Sequence, residues 1–457
     1  MSTAKAAPGG NKMGTWPIGK LLVNMALPLV ISMLVQALYN VVDSIYVSRI
    51  SESAVTALSL AFPIQNLLIG CATGVGVGVN SLLSKSLGEQ NYERANRTAG
   101  NGFLLSVLFA ACFLIFGIFF AGPFFRTQST VAETVAGGSA YLAIVTIGSI
   151  GVFIEILFER LLQATGNSFQ SMITQGTGAI INILLDPILI FGWFGLPAMG
   201  LAGAALATVI GQWCAAFLAM GLNLKYNKEL KLYRRHAKPD SYVIGKIMNV
   251  GIPSIIMVGI GSVMNFGINQ ILQGFSETAT GVFGIYFKLQ SFFFMPLFGI
   301  NNAVISIVAF NYGAQKPERM MATLKNAAIT GLCIMLVGLA AFQLLPQLLL
   351  GIFDPTPEFM AMGIRALRTI SWCFPVAAVC IILGSTFQAL GTGIYSTIVS
   401  LCRQLVVLLP AAWLLSFSGD VNLVWWAWPI AEGMGLSLTI FFFLRNYRRL
   451  IKPLYEA

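Results

Sequence analysis

Asp43 stands in an otherwise apolar stretch, Gln36-Ala-Leu-Tyr-Asn-Val-Val-Asp43-Ser-Ile-Tyr46. At helical spacing Gln36, Asn40 and Asp43 fall at i, i+4 and i+7, so three polar groups share one face while Leu38, Val41, Val42 and Ile45 cover the others. Gln175, Asn182 and Asp186 form a second concentration, at i, i+7 and i+11. Pro187 follows directly and frees the carbonyl of Ile183 from its usual helical bond. An Asp, an Asn and a loosened carbonyl are hard oxygen donors, suited to a proton or an alkali cation and poorly suited to zinc or copper. The alternative is a carboxylate tied to Asn and Tyr side chains for packing alone. A carboxylate facing lipid costs at least roughly 2.5 to 3.5 kcal/mol and intramembrane acids usually mark ion paths, which favours function for Asp43 and Asp186.

Enzymatic chemistry lacks its parts. The chain has one histidine, and no P-loop, GxSxG or HExxH, so neither a catalytic set nor ATP-driven transport is expected. The other ionisable residues well inside apolar runs are Glu155, Glu159, Lys288, Arg403 and Glu432. Glu155 and Glu159, one turn apart beside Arg160, read equally as an interfacial ion pair or as functional groups. Lys288 and Glu432 read as cavity lining or as a pair between lobes. The seven cysteines fall in apolar runs without a CxxC pair and read as buried small hydrophobes.

These groups need a scaffold, and composition says which. With 57% hydrophobic and 10% charged residues, and a mean hydropathy of +0.80, the chain is far more apolar than a soluble domain. Twelve apolar runs, about 20–48, 54–83, 100–122, 139–163, 170–193, 201–223, 246–273, 281–309, 326–350, 363–388, 394–417 and 421–444, are each long enough as a helix to cross a hydrocarbon core of about 30 Å. Barrel strands would be shorter and alternating. The expected fold is an all-α integral membrane protein. The net charge of +10 does not call for nucleic acid, because the positive-inside rule accounts for it. With a cytoplasmic N-terminus, most Lys and Arg, including Lys5, Arg234 and Arg235, fall inside, and only Arg49, Arg126, Arg365 and Arg368 fall outside. Both termini are therefore expected in the cytoplasm. The expected divisions are a flexible tail (1–19), an N-terminal lobe (20–223), a cytoplasmic basic linker (224–245), a C-terminal lobe (246–444) and a basic tail (445–457). His236, in the linker, is expected to be solvated.

The halves repeat at an offset of 225 residues. Pro28/Pro253, Asn40/Asn265, Ser51/Ser276, Glu52/Glu277, Gln65/Gln290, Gly74/Gly299, Gly88/Gly313 and Arg94/Arg319 are identical pairs in one ungapped register. Gln163-Ala-Thr-Gly166 and Gln388-Ala-Leu-Gly391 continue it. Six helices per half is an even number, so the lobes run in parallel, related by a pseudo-two-fold axis along the membrane normal, a plan of secondary transporters with the site between the lobes. Pro28, Pro253 and Pro187 are hinge candidates. Gln36, Asn40, Gln65, Asn265, Gln290, Phe153 and Met257 are candidates to line a cavity for oily cations, although lipid-facing or interhelical packing is the better account of Phe153 or Met257 taken singly.

Pro28 with its spacing to Asp43, Ala61-Phe-Pro-Ile-Gln65, Gly74-Val-Gly-Val-Gly78, Ser84-Lys-Ser-Leu-Gly-Glu-Gln-Asn91 and Asn182-Ile-Leu-Leu-Asp-Pro187 together resemble the multidrug and toxic compound extrusion (MATE) family, its bacterial DinF- and MepA-like branch above all. The resemblance covers residues 20–450. It implies twelve helices in two six-helix lobes, a V-shaped cavity, and export of cationic or amphipathic drugs against an inward H⁺ or Na⁺ gradient, with no other cofactor. It also implies a monomer in a bacterial cytoplasmic membrane. Matching coupling positions are Asp43, Tyr141, Asn182 and Asp186, with Thr208 aligned less firmly. The repeat partners of the two acids are Ile268 and Ala411, so the C-terminal-lobe arrangement of another branch is not expected. A lipid-linked glycan flippase of the same superfamily is the alternative. A major-facilitator carrier lacks support in the loop after the second helix, and a membrane enzyme or receptor lacks a constellation.

Overall fold

The computed structural model describes residues 11–231, 236, 238–353 and 355–456; Lys5 with the rest of 1–10, and Arg234 and Arg235, lie outside the described residues. Ten helices are long and apolar enough to cross a bilayer, and two bent pairs make twelve spans. In the first lobe these are α1 (Ile18–Ser48), α2 (Glu52–Gly88), α3 (Tyr92–Phe119), α4 (Ala132–Ile147 with Ile150–Ala164), α5 (Ser168–Phe191) and α6 (Leu201–Tyr226). The second lobe has α7 (Ser241–Gln273), α8 (Glu277–Gly313), α9 (Pro317–Leu344), α10 (Pro357–Ser371 with Phe374–Ala389), α11 (Gly393–Ser416) and α12 (Val421–Glu456). The described residues contain no strand.

The repeat is reproduced in the backbone. Ser51 and Ser276 cap α2 and α8 by accepting the amides of Ala54 and Ala279, each at 3.1 Å. Glu52 and Glu277 follow in the first turn, where the helix dipole favours a negative charge. Past the other ends of these helices, Gln90 and Gln315 are both left-handed at φ 55°. α4 and α10 are bent by 44° and 45° at matching places, and each is followed by a left-handed glycine, Gly166 or Gly391. The sharp breaks therefore lie in α4 and α10, whereas α1, α5 and α7 run unbroken through Pro28, Pro187 and Pro253.

Between lobes, α1 packs on α8 and α2 on α7. The closest approach is set by glycine. A Cβ on Gly88 would lie 2.0 Å from the Phe310 carbonyl oxygen, and one on Gly313 would lie 2.1 Å from that of Lys85. Phe310 and Lys85 are themselves repeat partners, so the pseudo-two-fold axis passes between these contacts. They sit beside the 89–91 and 314–316 loops. Further along, Asn66 still reaches across, its Nδ2 donating to Ser262 Oγ at 2.7 Å.

The expected flexible tail is packed from residue 11 onward. Met13 is fully buried. Its carbonyl accepts from Asn311 Nδ2 (3.1 Å) and Arg319 Nη2 (3.0 Å), while Arg319 also donates to the Trp16 carbonyl (2.7 Å). On the other side Asn11 Nδ2 donates to Glu229 (3.1 Å), so the segment bridges both lobes. Burial raises the Glu229 pKa and the Asn11 amide works against this. The repeat explains the grip: Arg94 is paired with Glu89, but the partner position of Glu89 is Ala314, leaving the Arg319 guanidinium for the carbonyls.

Two further expectations are corrected, for His236 and for the cysteines, and the basic tail gains a described structure. His236 is buried, with Nδ1 2.9 Å from the Lys231 carbonyl and Nε2 3.4 Å from Glu93, because the linker lies on α3 and Asn96 and Asn101 satisfy its backbone. Residues 445–456 are helical, continuing α12 through a wide turn at Tyr447–Ile451. Only Cys71, Cys373 and Cys380 are buried; Cys112 and Cys333 are exposed, since an apolar solvent does not penalise a thiol facing outward, and Cys373 sits at the α10 break.

Gly88→Leu and Gly313→Leu are each expected to cost about 1–3 kcal/mol or more by forcing the lobes apart, read as a lower melting temperature in detergent. Gly221→Leu, which meets nothing within 4 Å, serves as the control. Arg319→Ala is expected to expose residues 11–16 to hydrogen exchange while leaving the α8 core protected.

Candidate functional site

α5 and α6 approach closely because both carry glycine where they cross: a Cβ on Gly211 would lie 2.8 Å from the Gly178 carbonyl oxygen and 3.3 Å from Asn182 Cβ. That approach brings Thr208 against Asn182, whose Nδ2 donates to Thr208 Oγ1 at 3.1 Å. One turn on, Asp186 is fully buried. α1 lies on α5 and delivers Asp43, which is half-buried and whose charge acts on Asp186. From α4, Tyr141 completes the group, held by Gln65 Nε2 donating to its hydroxyl at 2.8 Å. Asp43, Asp186, Asn182, Tyr141 and Thr208 are thus brought together within the N-terminal lobe.

The group is rich in acceptors. Among the described residues, no protein donor reaches Asp43 Oδ1, Asn182 Oδ1 or either oxygen of Asp186. Buried acceptors normally find donors, and four without one on three neighbouring residues form an oxygen set suited to a proton or a small monovalent cation.

Tyr39 belongs to the site and was missed in the sequence. It lies one turn before Asp43 on α1, in the neighbourhood of Thr208, Asp43 and Asp186. The i, i+4 spacing from Asp43 was the available signal.

The cavity candidates divide. Asn40 is exposed, Met257 half-buried, and Asn265 half-buried with Oδ1 unpartnered. Gln36 is held loosely by Gln175, 3.5 Å away. Gln65 and Gln290 are engaged inside their own lobes, by Tyr141 and by the Tyr286 hydroxyl (2.7 Å). Phe153 does not line a cavity: it is buried, stacked on Phe109 with centroids 6.5 Å apart and packed on Phe113, because the apolar interior of the lobe offers a ring more contact than its surface does.

The remaining ionisable groups also find places. Glu159 and Arg160 are buried inside the lobe, where Thr174 donates to Glu159 (3.1 Å) and Arg160 donates to Gln163 (2.8 Å). No carboxylate lies within 4 Å of Arg160 among the described residues, so of the two readings the interfacial ion pair is not formed, and neutral partners hold both side chains. Glu432 pairs with Arg403 inside the second lobe at 2.9 Å, next to the wide turn Cys402–Leu408, and Lys288 is exposed. Ile268, the partner position of Asp43, is fully buried among apolar residues.

Comparison with known proteins gives the family and the fold. The MatE family profile matches residues 28–188 and 253–414, once in each half. The chain is 26% identical over 423 residues to the probable multidrug resistance protein YoeA of Bacillus subtilis, covering 90% of both chains. It is 25% identical over 432 residues to the multidrug export protein MepA of Staphylococcus haemolyticus, covering 94% of both. Among solved structures, an outward-facing multidrug resistance MATE family transporter superposes with a TM-score of 0.91 at 24% identity, over 99% of this chain and 100% of that one. A Pyrococcus furiosus transporter of the MOP superfamily superposes equally well, TM-score 0.91 at 23% identity, over 98% and 100%.

Asp186→Asn removes a buried charge without removing a hydrogen bond, so its melting temperature in detergent is expected to equal or exceed that of the parent. A loss above about 2 kcal/mol would reveal donors to Asp186 and refute the orphan-acceptor assignment.

Proposed function

The chain belongs to the MatE family, and we propose that it is a secondary multidrug exporter, an antiporter that expels cationic or amphipathic drugs as H⁺ or Na⁺ moves inward. The observation that carries this reading is the convergence of Asp43, Asn182 and Asp186 with four acceptor oxygens that no protein donor reaches. Protonation or cation binding there removes the cost of uncompensated buried acceptors. Coupling follows if the ion's affinity differs between outward-open and inward-open arrangements, because a ligand shifts an equilibrium only by such a difference.

The positive-inside rule puts the glycine contacts of Gly88 and Gly313 at the cytoplasmic end. In this reading the lobes are closed inside, and Asp43, about 20 Å further along α1 than Val30 at the Gly299 contact, faces the outward side. Drug sits between the lobes, where Asn40, Met257 and Asn265 supply polar and polarisable contacts. The exporter works as a monomer in a bacterial cytoplasmic membrane, with both termini inside.

The test is efflux of a fluorescent organic cation from proteoliposomes under separately imposed pH and sodium gradients. The parent protein is expected to respond to at least one gradient. Asp43→Asn and Asp186→Asn are expected to fall to the level of protein-free liposomes, whereas Gln290→Ala retains activity. Undiminished gradient-driven efflux by Asp43→Asn sinks the coupling assignment.

A further inference from the structure

A groove of about 640 Å³ runs between the start of α1 and the start of α5, on the outer surface of the first lobe and away from the cation site. Trp16 and Lys20 form its head, Val23 and Leu27 its floor, and Phe169 its far wall, with Pro28 at the inner end. Lys20, Val23 and Leu27 fall at i, i+3 and i+7, so one helical face presents a charge followed by an exposed apolar stripe.

The head of the groove lacks an anion. The ammonium groups of Lys12 and Lys20 lie 5.5 and 5.0 Å from the centre of the same Trp16 ring. Lys12 also donates to Asn24 Oδ1 at 2.8 Å. Among the described residues, no carboxylate lies within ion-pair distance of either lysine. Two like charges thus share one indole, with only its ring face and the Asn24 amide oxygen to offset them. Partial burial also lowers the Lys12 pKa, a cost that a neighbouring anion offsets.

We propose that this groove binds one anionic phospholipid, its phosphate between Lys12 and Lys20 beside Trp16 and an acyl chain along Val23, Leu27 and Phe169. Tryptophan at headgroup depth and basic pockets beside helices of the anionic leaflet are the chemistry such a lipid meets. The chain end abuts Pro28, so an occupied groove braces α1 where its hydrogen bonding is interrupted.

The test is native mass spectrometry of the full-length protein exchanged into equimolar phosphatidylcholine and phosphatidylglycerol. The parent is expected to retain phosphatidylglycerol in about fivefold preference or more. Lys20→Ala is expected to bring the preference close to parity, and Phe169→Ser to reduce total retention, both at an unchanged melting temperature. No preference in the parent, or an unchanged preference in Lys20→Ala, overturns the proposal. Displacement of the lipid by millimolar inorganic phosphate also overturns it, by showing a free-anion site. The readout needs no transport, so its failure is separable from failure of the antiport reading.

Discussion

An acid can be kept inside a bilayer only if its surroundings hold it there, and that requirement organises the first lobe. Asp186 is fully buried, and among the described residues no protein donor meets it. What keeps it in place is rigidity nearby: the Gly178 and Gly211 contact fixes α5 on α6, and Gln65 pins Tyr141. With the frame fixed, the acceptors cannot relax toward donors elsewhere. Their free energy is then set by what reaches them from outside the protein, which is the property a coupling site needs.

The duplication supplies the scaffold, and departures from it supply the function. Caps and left-handed turns recur 225 residues apart because each depends on a local residue type that both halves kept, Ser51/Ser276, Gln90/Gln315 and Gly166/Gly391, whereas the breaks in α4 and α10 recur without a shared residue. Acid pairs do not recur, since Ile268 packs as an ordinary core residue. A smaller departure, Glu89 against Ala314, releases one arginine to bind the segment before α1. Neither departure disturbs helix packing, so the halves could diverge in chemistry while remaining superposable in shape.

Spans, lobes and the acids were legible in the sequence because their signals are strong and local: apolar length, periodicity and the cost of a charge in lipid. Grouping Asp43 with Asp186 came from the family resemblance, because helical faces orient each acid without saying which helices meet. What escaped was decided by partners distant in sequence. Tyr39 gains its meaning from Thr208, His236 from Glu93, and residues 11–16 from Arg319 and Glu229. Phe153 was ambiguous because an aromatic ring at helical spacing reads alike in a core and in a cavity wall. Arg160 could be read beside an ion pair only while its partners were unknown: neighbours on a helix diverge, and the structure takes Arg160 to Gln163 and Glu159 to Thr174.

α1 is where these threads meet. Its first turns follow the bridging segment held by Arg319, its middle packs over Gly299 of the opposite lobe, and its last turns carry Tyr39 and Asp43 to the acceptors of α5. Pro28 lies between the first anchor and the site, where a missing N–H makes bending cheap. α5 packs on α6, α1 and α4, all of the first lobe. The one element that runs from the acceptor group to the second lobe is therefore α1, whose middle packs over Gly299 and whose last turns carry Asp43.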